Sequence, residues 1–190
     1  MRNKHPLGAP SAKSCAAPLQ SPAVCEEAAQ GEVVSPANFN APGQIVIAGH
    51  AQAVARAQKL CEARGGKAIA LKVSAPFHCA LMAPAALAVG EALDRSSIHP
   101  LAFRVIANVD GEPNSDPGRV RGLLIRQIDG PVQWMRSVQK MADEGVTHAL
   151  EIGPGKVLAG IVKRISKSIR VLSVSDENAI TRVRDFLSEA

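Results

Sequence analysis

Apolar positions along the chain alternate between short runs and helical stripes. Ile45-Val46-Ile47-Ala48 follows Gly43-Gln44 and reads as a strand. Gly49-His50 turns the chain. Residues 51–64 then read as a helix, with Val54, Ala57 and Leu60 on one face and Gly65-Gly66 as the stop. A strand over 68–73 is closed by Pro76, and a helix over 84–94 carries Leu87, Ala88, Glu91 and Leu93 on its faces. Residues 103–107 read as a strand. The stripe Val120, Leu123, Leu124, Gln127 predicts a helix over 116–128, and 134–144 is another, stopped by Gly145. A strand over 148–152, a helix over 156–166, a strand over 170–173 and a helix over 178–188 complete the chain. This alternation predicts an α/β fold with some parallel sheet, and no internal repeat is visible.

Residues 1–24 break the pattern. Pro6, Pro10, Pro18 and Pro22 are scattered among Ala and Ser, with no period of 2 or 3.6. The segment carries no acid, and it reads as a disordered or unrelated leader.

Composition then excludes several function classes. Of 190 residues, 46% are apolar and 21% charged, which is enough to build a core and excludes a disordered chain. Aromatics are only 3%, with no Tyr and the single Trp134, which argues against base stacking on nucleic acid. The net charge is +5, and Arg2, Lys4 and Lys13 supply part of it from the leader. The densest basic run, Lys163-Arg164 with Lys167, reads as solvated surface. No apolar run reaches the roughly 18 residues that span a bilayer, so a membrane role is not expected and a cytoplasmic location is. Cys15, Cys25, Cys61 and Cys79 have no metal-ligand spacing and read as reduced thiols. Neither a metal nor a cofactor is expected.

Three segments invite a chemical reading. Gly153-Pro154-Gly155-Lys156 resembles a phosphate loop but fails its tests at Leu150 and Val157. It reads as a tight turn into a helix whose exposed amides could hold an anion. Gly49-His50-Ala51 has the flank of a nucleophile elbow, with Ala51 where a serine would stand. In Val73-Ser74-Ala75-Pro76-Phe77-His78-Cys79, His78 follows a strand and precedes a helix, where α/β enzymes place chemistry. Position alone also suits a structural or surface histidine.

Five blocks carry a resemblance to a known family. Asn38-Phe39-Asn40-Ala41-Pro42-Gly43-Gln44-Ile45-Val46-Ile47-Ala48-Gly49 resembles the central signature of malonyl-CoA:acyl-carrier-protein transacylases. Ala75-Pro76-Phe77-His78-Cys79-Ala80-Leu81-Met82 is similar to their catalytic-histidine segment. Asn108-Val109-Asp110, Arg126-Gln127 with Pro131-Val132-Gln133-Trp134, and Glu151-Ile152-Gly153-Pro154-Gly155-Lys156-Val157-Leu158 follow in the family's order. The resemblance runs from about Cys25 to the C-terminus.

The resemblance implies a partial ferredoxin-like small subdomain over 25–73. The C-terminal part of an α/β-hydrolase-like acyltransferase core would follow over 74–190. It implies transfer of malonyl from malonyl-CoA to the phosphopantetheine thiol of acyl carrier protein, in fatty-acid synthesis, by a Ser-His ping-pong mechanism. His78 would be the general base, and Gln127 would orient it through a backbone carbonyl. Asn38 and Asn40 would lie near the same cleft, and Phe77 would favour malonyl over branched groups. The departures are an absent G-H-S-x-G serine, and with it the arginine for the malonyl carboxylate and the oxyanion-hole amides. The small subdomain is expected to lack its first strand and most of its first helix, and open apolar faces are expected. The alternative reading is a non-catalytic remnant that binds acyl carrier protein. A binding domain of unrelated α/β type is left only if the blocks are coincidence.

Overall fold

Strands β2 (Val34–Ala41) and β3 (Gln44–His50) form an antiparallel hairpin, closed by Gly43 at φ 71°, a left-handed conformation that glycine adopts without steric cost. The computed structural model in which this hairpin sits describes residues 10–16, 21–71, 73 and 75–189. On its other side β3 pairs with β1 (Pro10–Ala16), which also pairs with β4 (Lys67–Ala70). All pairings are antiparallel, and the sheet order is β2-β3-β1-β4. Helices α1 (Ser21–Ala29) and α2 (Ala51–Ala63) pack together over Val34 and Ile47. Ala28, Ala53 and Ala57 are fully buried between them, and these small side chains let the two helices approach closely.

This arrangement corrects the sequence reading of residues 1–24. Pro10–Ala16 is a strand inside the sheet rather than disordered leader, and helical order begins at Ser21 rather than after Cys25. The unit is a whole βαββαβ succession, with its first strand and first helix present. Residues 1–9 and 17–20 lie outside the described residues. A strand paired on both edges is specified by backbone hydrogen bonds that residues such as Ser11, Ala12 and Ser14 can make, so it leaves little hydrophobic signature. Strand β2 escapes pattern reading for another reason. Its register shifts at Pro36/Asn38 and again at Phe39/Ala41, so the two-residue alternation is lost.

Gly49, the decoy of the elbow-like segment, has a packing reason. A Cβ there would lie 2.1 Å from the Val33 carbonyl oxygen. The close approach lets the His50 amide donate to that oxygen at 2.8 Å, while Val33 N–H donates back to His50 Nδ1 at 2.9 Å.

The second part of the chain begins with a short 3-10 turn at Ala80–Met82 and α3 (Ala83–Asp94). The expected strand over 103–107 shrinks to β5 (Val105–Ile106), paired with β6 (Pro113–Asn114). Helix α4 (Pro117–Asp129) starts on Asp116, whose Oδ1 accepts from Gly118 N–H at 2.8 Å. Helix α5 (Trp134–Asp143) follows. Strand β7 (His148–Ile152), α6 (Val157–Ile165) and β8 (Arg170–Val174) form a βαβ unit with parallel strands. Its core is Val138, Val162 and Ile169, with Trp134 and Met141 packed against them. The expected closing helix is divided into α7 (Glu177–Thr181) and α8 (Val183–Ser188).

Three smaller expectations can be set against this fold. Cys25 and Cys79 are free thiols, but Cys61 is disulfide-bonded, so the reading of four reduced cysteines fails there. Burial, helped by the neighbouring Glu26, pushes the Cys25 thiol up to about 12. Leu87, Phe103, Ile152 and Val157 are exposed, as the expectation of open apolar faces has it. Among the described residues no helix is long and apolar enough to cross a membrane, and no three-residue metal-ligand cluster exists.

Two of the amides at the start of α6 are not free for an anion. Glu151 already caps the start of α6, its carboxylate accepting from Leu158 N–H at 2.8 Å and Ala159 N–H at 3.1 Å. Ser173 Oγ–H donates to the same group at 2.8 Å, tying β7, α6 and β8 together. Desolvation pushes the Glu151 carboxyl up, but the hydrogen bonds from Leu158, Ser173 and Ala159 outweigh it and hold it below the usual range. A depressed carboxyl contributes stability above its unfolded value of about 4.3, and that contribution disappears as pH falls through the lower folded value. Glu151→Gln should therefore lower the melting temperature at pH 7, with the deficit shrinking as pH drops below about 4. Melting curves of both proteins at pH 7 and pH 3 check this, and an equal deficit at both would contradict the assignment.

Candidate active site

The loop after β4 carries His78 to the end of α4. His78 Nδ1 lies 2.7 Å from the backbone oxygen of Gln127, on the last turn of that helix. A carbonyl oxygen only accepts, so Nδ1 carries the hydrogen and donates it. In the neutral ring, Nε2 is then left with its lone pair, the form a general base requires. The last carbonyls of a helix carry partial negative charge, which suits this one to accept the Nδ1–H hydrogen bond.

His78 itself has φ 61°, a left-handed conformation unusual outside glycine. Histidine is among the residues that tolerate it, at a cost of about 1–3 kcal/mol. This backbone turns the ring toward α4 and separates it from its neighbour. Cys79 is fully buried with Ala37 and Ala48, and its Sγ–H donates to Pro76 O at 3.1 Å. Burial pushes the Cys79 thiol up, opposed by a hydrogen bond with the Leu81 backbone and reinforced by Asp129. A buried, protonated thiol engaged with a carbonyl is a poor nucleophile.

Four of the five residues singled out in the sequence line one cavity. Asn38, Asn40, Phe77 and His78 surround a volume of about 290 Å³, with Val46, Ala48 and Val73 in its walls. Gln127 reaches the site through its carbonyl alone. Its side chain lines a separate apolar cavity of about 190 Å³ with Val120, Leu123 and Leu124, the stripe visible in the sequence. Phe77 is about half exposed (48%), so its ring forms a rim of the cavity rather than part of the core.

The backbone around this site is cross-linked. Strand β2, which bears both asparagines, is bridged to the segment after α4. Val132 N–H donates to Ala37 O at 2.8 Å, and Phe39 N–H donates to Val132 O at 2.9 Å. Gln133 N–H donates to Asn108 O at 2.7 Å. Two residues on, Asp110 sits 3.6 Å from Arg119 and 3.7 Å from Arg126, both on α4. Gly130 permits the helix exit, since a Cβ there would lie 2.5 Å from Arg126 O. The blocks at 38–49, 75–82, 108–110 and 126–134 thus meet at one place. The block at 151–158 does not, and serves the βαβ unit.

The basic run departs from a plain solvated face. Arg164 donates to the Gln44 side chain and, at 3.2 Å, to Pro42 O, pinning the β2–β3 turn. Lys163 and Lys167 border a different cavity, with Lys156 and Arg170.

No family model matches the chain. It is 47% identical over 157 residues to the malonyl CoA-acyl carrier protein transacylase of Escherichia coli K12, which covers 82% of this chain and 51% of that protein. It is 42% identical over 161 residues to the transacylase of the same name from Bacillus subtilis 168, covering 84% of this chain and 51% of the relative. The chain therefore spans about half the length of the curated relatives it matches. Among solved structures, the acyl carrier protein S-malonyltransferase of Vibrio cholerae superposes with a TM-score of 0.90 at 42% identity, over 94% of this chain and 60% of that one. A malonyl-transacylase solved in complex with the acyl-carrier protein of a type II polyketide synthase gives a TM-score of 0.90 at 38% identity, over 95% of this chain and 60% of that one. In sequence and in fold, the chain is a homologue of the malonyl CoA-acyl carrier protein transacylases and corresponds to their C-terminal part.

Proposed function

We propose that this chain carries the histidine half of a malonyl-transfer site. The reaction moves malonyl from coenzyme A to the phosphopantetheine thiol of acyl carrier protein, by way of an acyl-serine. The supporting observation is the bond from His78 Nδ1–H to Gln127 O at 2.7 Å beside the cavity that holds Asn38, Asn40 and Phe77. In the first half-reaction a serine oxygen attacks the thioester carbonyl while His78 Nε2 takes the hydroxyl proton. The proton then passes to the departing coenzyme A thiolate. In the second half-reaction His78 takes the proton of the acceptor thiol, which attacks the acyl-serine, and returns it to the serine. Gln127 replaces the carboxylate of a conventional triad with a helix-end carbonyl. The βαββαβ unit is the family's ferredoxin-like subdomain, whole rather than partial, and its β2 strand supplies one wall of the site.

The sequence contains no G-H-S-x-G, so the serine has to come from outside these 190 residues. The absent elbow also favours the second reading, a non-catalytic chain that still binds acyl carrier protein.

Incubated alone with radiolabelled malonyl-CoA, the chain should acquire no stoichiometric label, because a nucleophile has to stand within about 2.6–3.2 Å of its base. Label that hydroxylamine removes would mean that a nucleophile exists here. With the nucleophile-bearing segment of the Escherichia coli relative supplied, transfer should appear, and inactivity of the folded complex would favour the second reading. His78→Ala should then lower turnover by about 10²–10⁴-fold, whereas Gln127→Ala, which keeps its carbonyl, should cost far less. A folded His78→Ala complex with unchanged turnover would rule out the base assignment. In the same complex, Phe77→Ser should raise activity on methylmalonyl-CoA relative to malonyl-CoA, by the roughly 1–3 kcal/mol that one methyl is worth in an apolar pocket. An unaltered ratio would place Phe77 outside substrate selection.

A further inference from the structure

The Gln127 carbonyl is free to receive a histidine because of what stands four residues later. The last carbonyls of an α-helix look for amide hydrogens at i+4, just beyond the helix. At the end of α4 the first of these bonds is made, with Gly130 N–H donating to Arg126 O at 2.9 Å. The next would run from residue 131 to Gln127 O. Residue 131 is proline and has no N–H. The two following amides are committed elsewhere, Val132 N–H to Ala37 O and Gln133 N–H to Asn108 O. Gln127 O is therefore passed over by every amide that could turn back to it, and His78 Nδ1–H occupies the position at 2.7 Å.

We infer that Pro131 is a positioning residue for His78: its missing N–H leaves the Gln127 carbonyl unclaimed by the helix, and that carbonyl fixes the proton of His78 on Nδ1. Gly130 and Pro131 act as a pair. The glycine closes the Arg126 bond at a separation no Cβ would allow, and the proline withholds the next donor. Pro131 also disfavours a helical conformation for the residue before it, and Gly130 stands extended at φ −102° and ψ 159°. With an N–H-bearing residue at 131, Gly130 can return to the helical region and bring a competing donor onto Gln127 O. The imidazole proton is then no longer held on Nδ1, and Nε2 is no longer reserved as the base. The functional meaning of this device rests on the reading of His78 as the base, but its physical content does not.

The experiment is ring-nitrogen NMR of His78 in the ¹⁵N-labelled chain, comparing the parent, Pro131→Ala, and a protein with L-lactate at position 131. Lactate has the side chain of alanine but an ester oxygen in place of the amide N–H. The parent should show a protonated Nδ1 and a pyridine-like Nε2. Pro131→Ala should lose part of the Nδ1–H population and gain the Nε2–H form, and the lactate protein should keep the parent pattern. A parent pattern in folded Pro131→Ala overturns the inference. So does a lactate protein that loses Nδ1–H, since the ring rather than the missing donor would then be responsible. If Pro131→Ala does not fold, the lactate protein decides alone by the same criterion. Turnover of His78→Ala in the complemented enzyme tests the base assignment separately, and its failure would leave the tautomer result standing.

Discussion

One hydrogen bond, from His78 Nδ1–H to the Gln127 carbonyl, sets the requirements for most of the structure around it. It asks for a helix that stops at the right residue, a loop that places an imidazole in a left-handed conformation, and a strand wall to close the cavity. Asp110 holds α4 through Arg119 and Arg126, and Asn108 anchors the chain that leaves the helix. Strand β2 is tied to that exit by Val132, so the asparagine wall and the helix end are parts of one backbone network. These exposed or half-exposed ion pairs contribute little stability individually. Their effect is geometric, since each removes a freedom of α4.

A carboxylate in this position would bring a full charge and its own desolvation cost. The helix-end carbonyl brings partial charge without a titrating group. It orients the base through a hydrogen bond that does not depend on the ionisation of a carboxyl.

Much of this was legible in the sequence, and the reasons differ by element. His78, Gln127, Asn38, Asn40 and Phe77 are visible because they stand in motif blocks, and the structure gathers them at one site. Helices α2, α4 and α5 were readable from stripes of period 3.6, since each buries one face. Strand β1 was not, because a strand held from both edges needs no side-chain pattern. Strand β2 was hidden by two register shifts. The occupied start of α6 could not be read from the turn at 153–156, since its partner Glu151 caps from the preceding strand. The disulfide at Cys61 was equally invisible, because cysteine count and spacing alone do not fix a pairing.

The place of β1 between β3 and β4 has a practical meaning for anyone who would shorten this protein. The family's motif blocks all lie after Cys25, which invites a start at that residue. Such a cut would remove one of the two interior strands of a four-stranded sheet rather than a dispensable tail. Both β3 and β4 would then present unpaired edges to solvent, and β4 would have no strand partner at all. Exposed edges of this kind recruit other chains, so the trimmed protein would trade a closed sheet for a template for self-association.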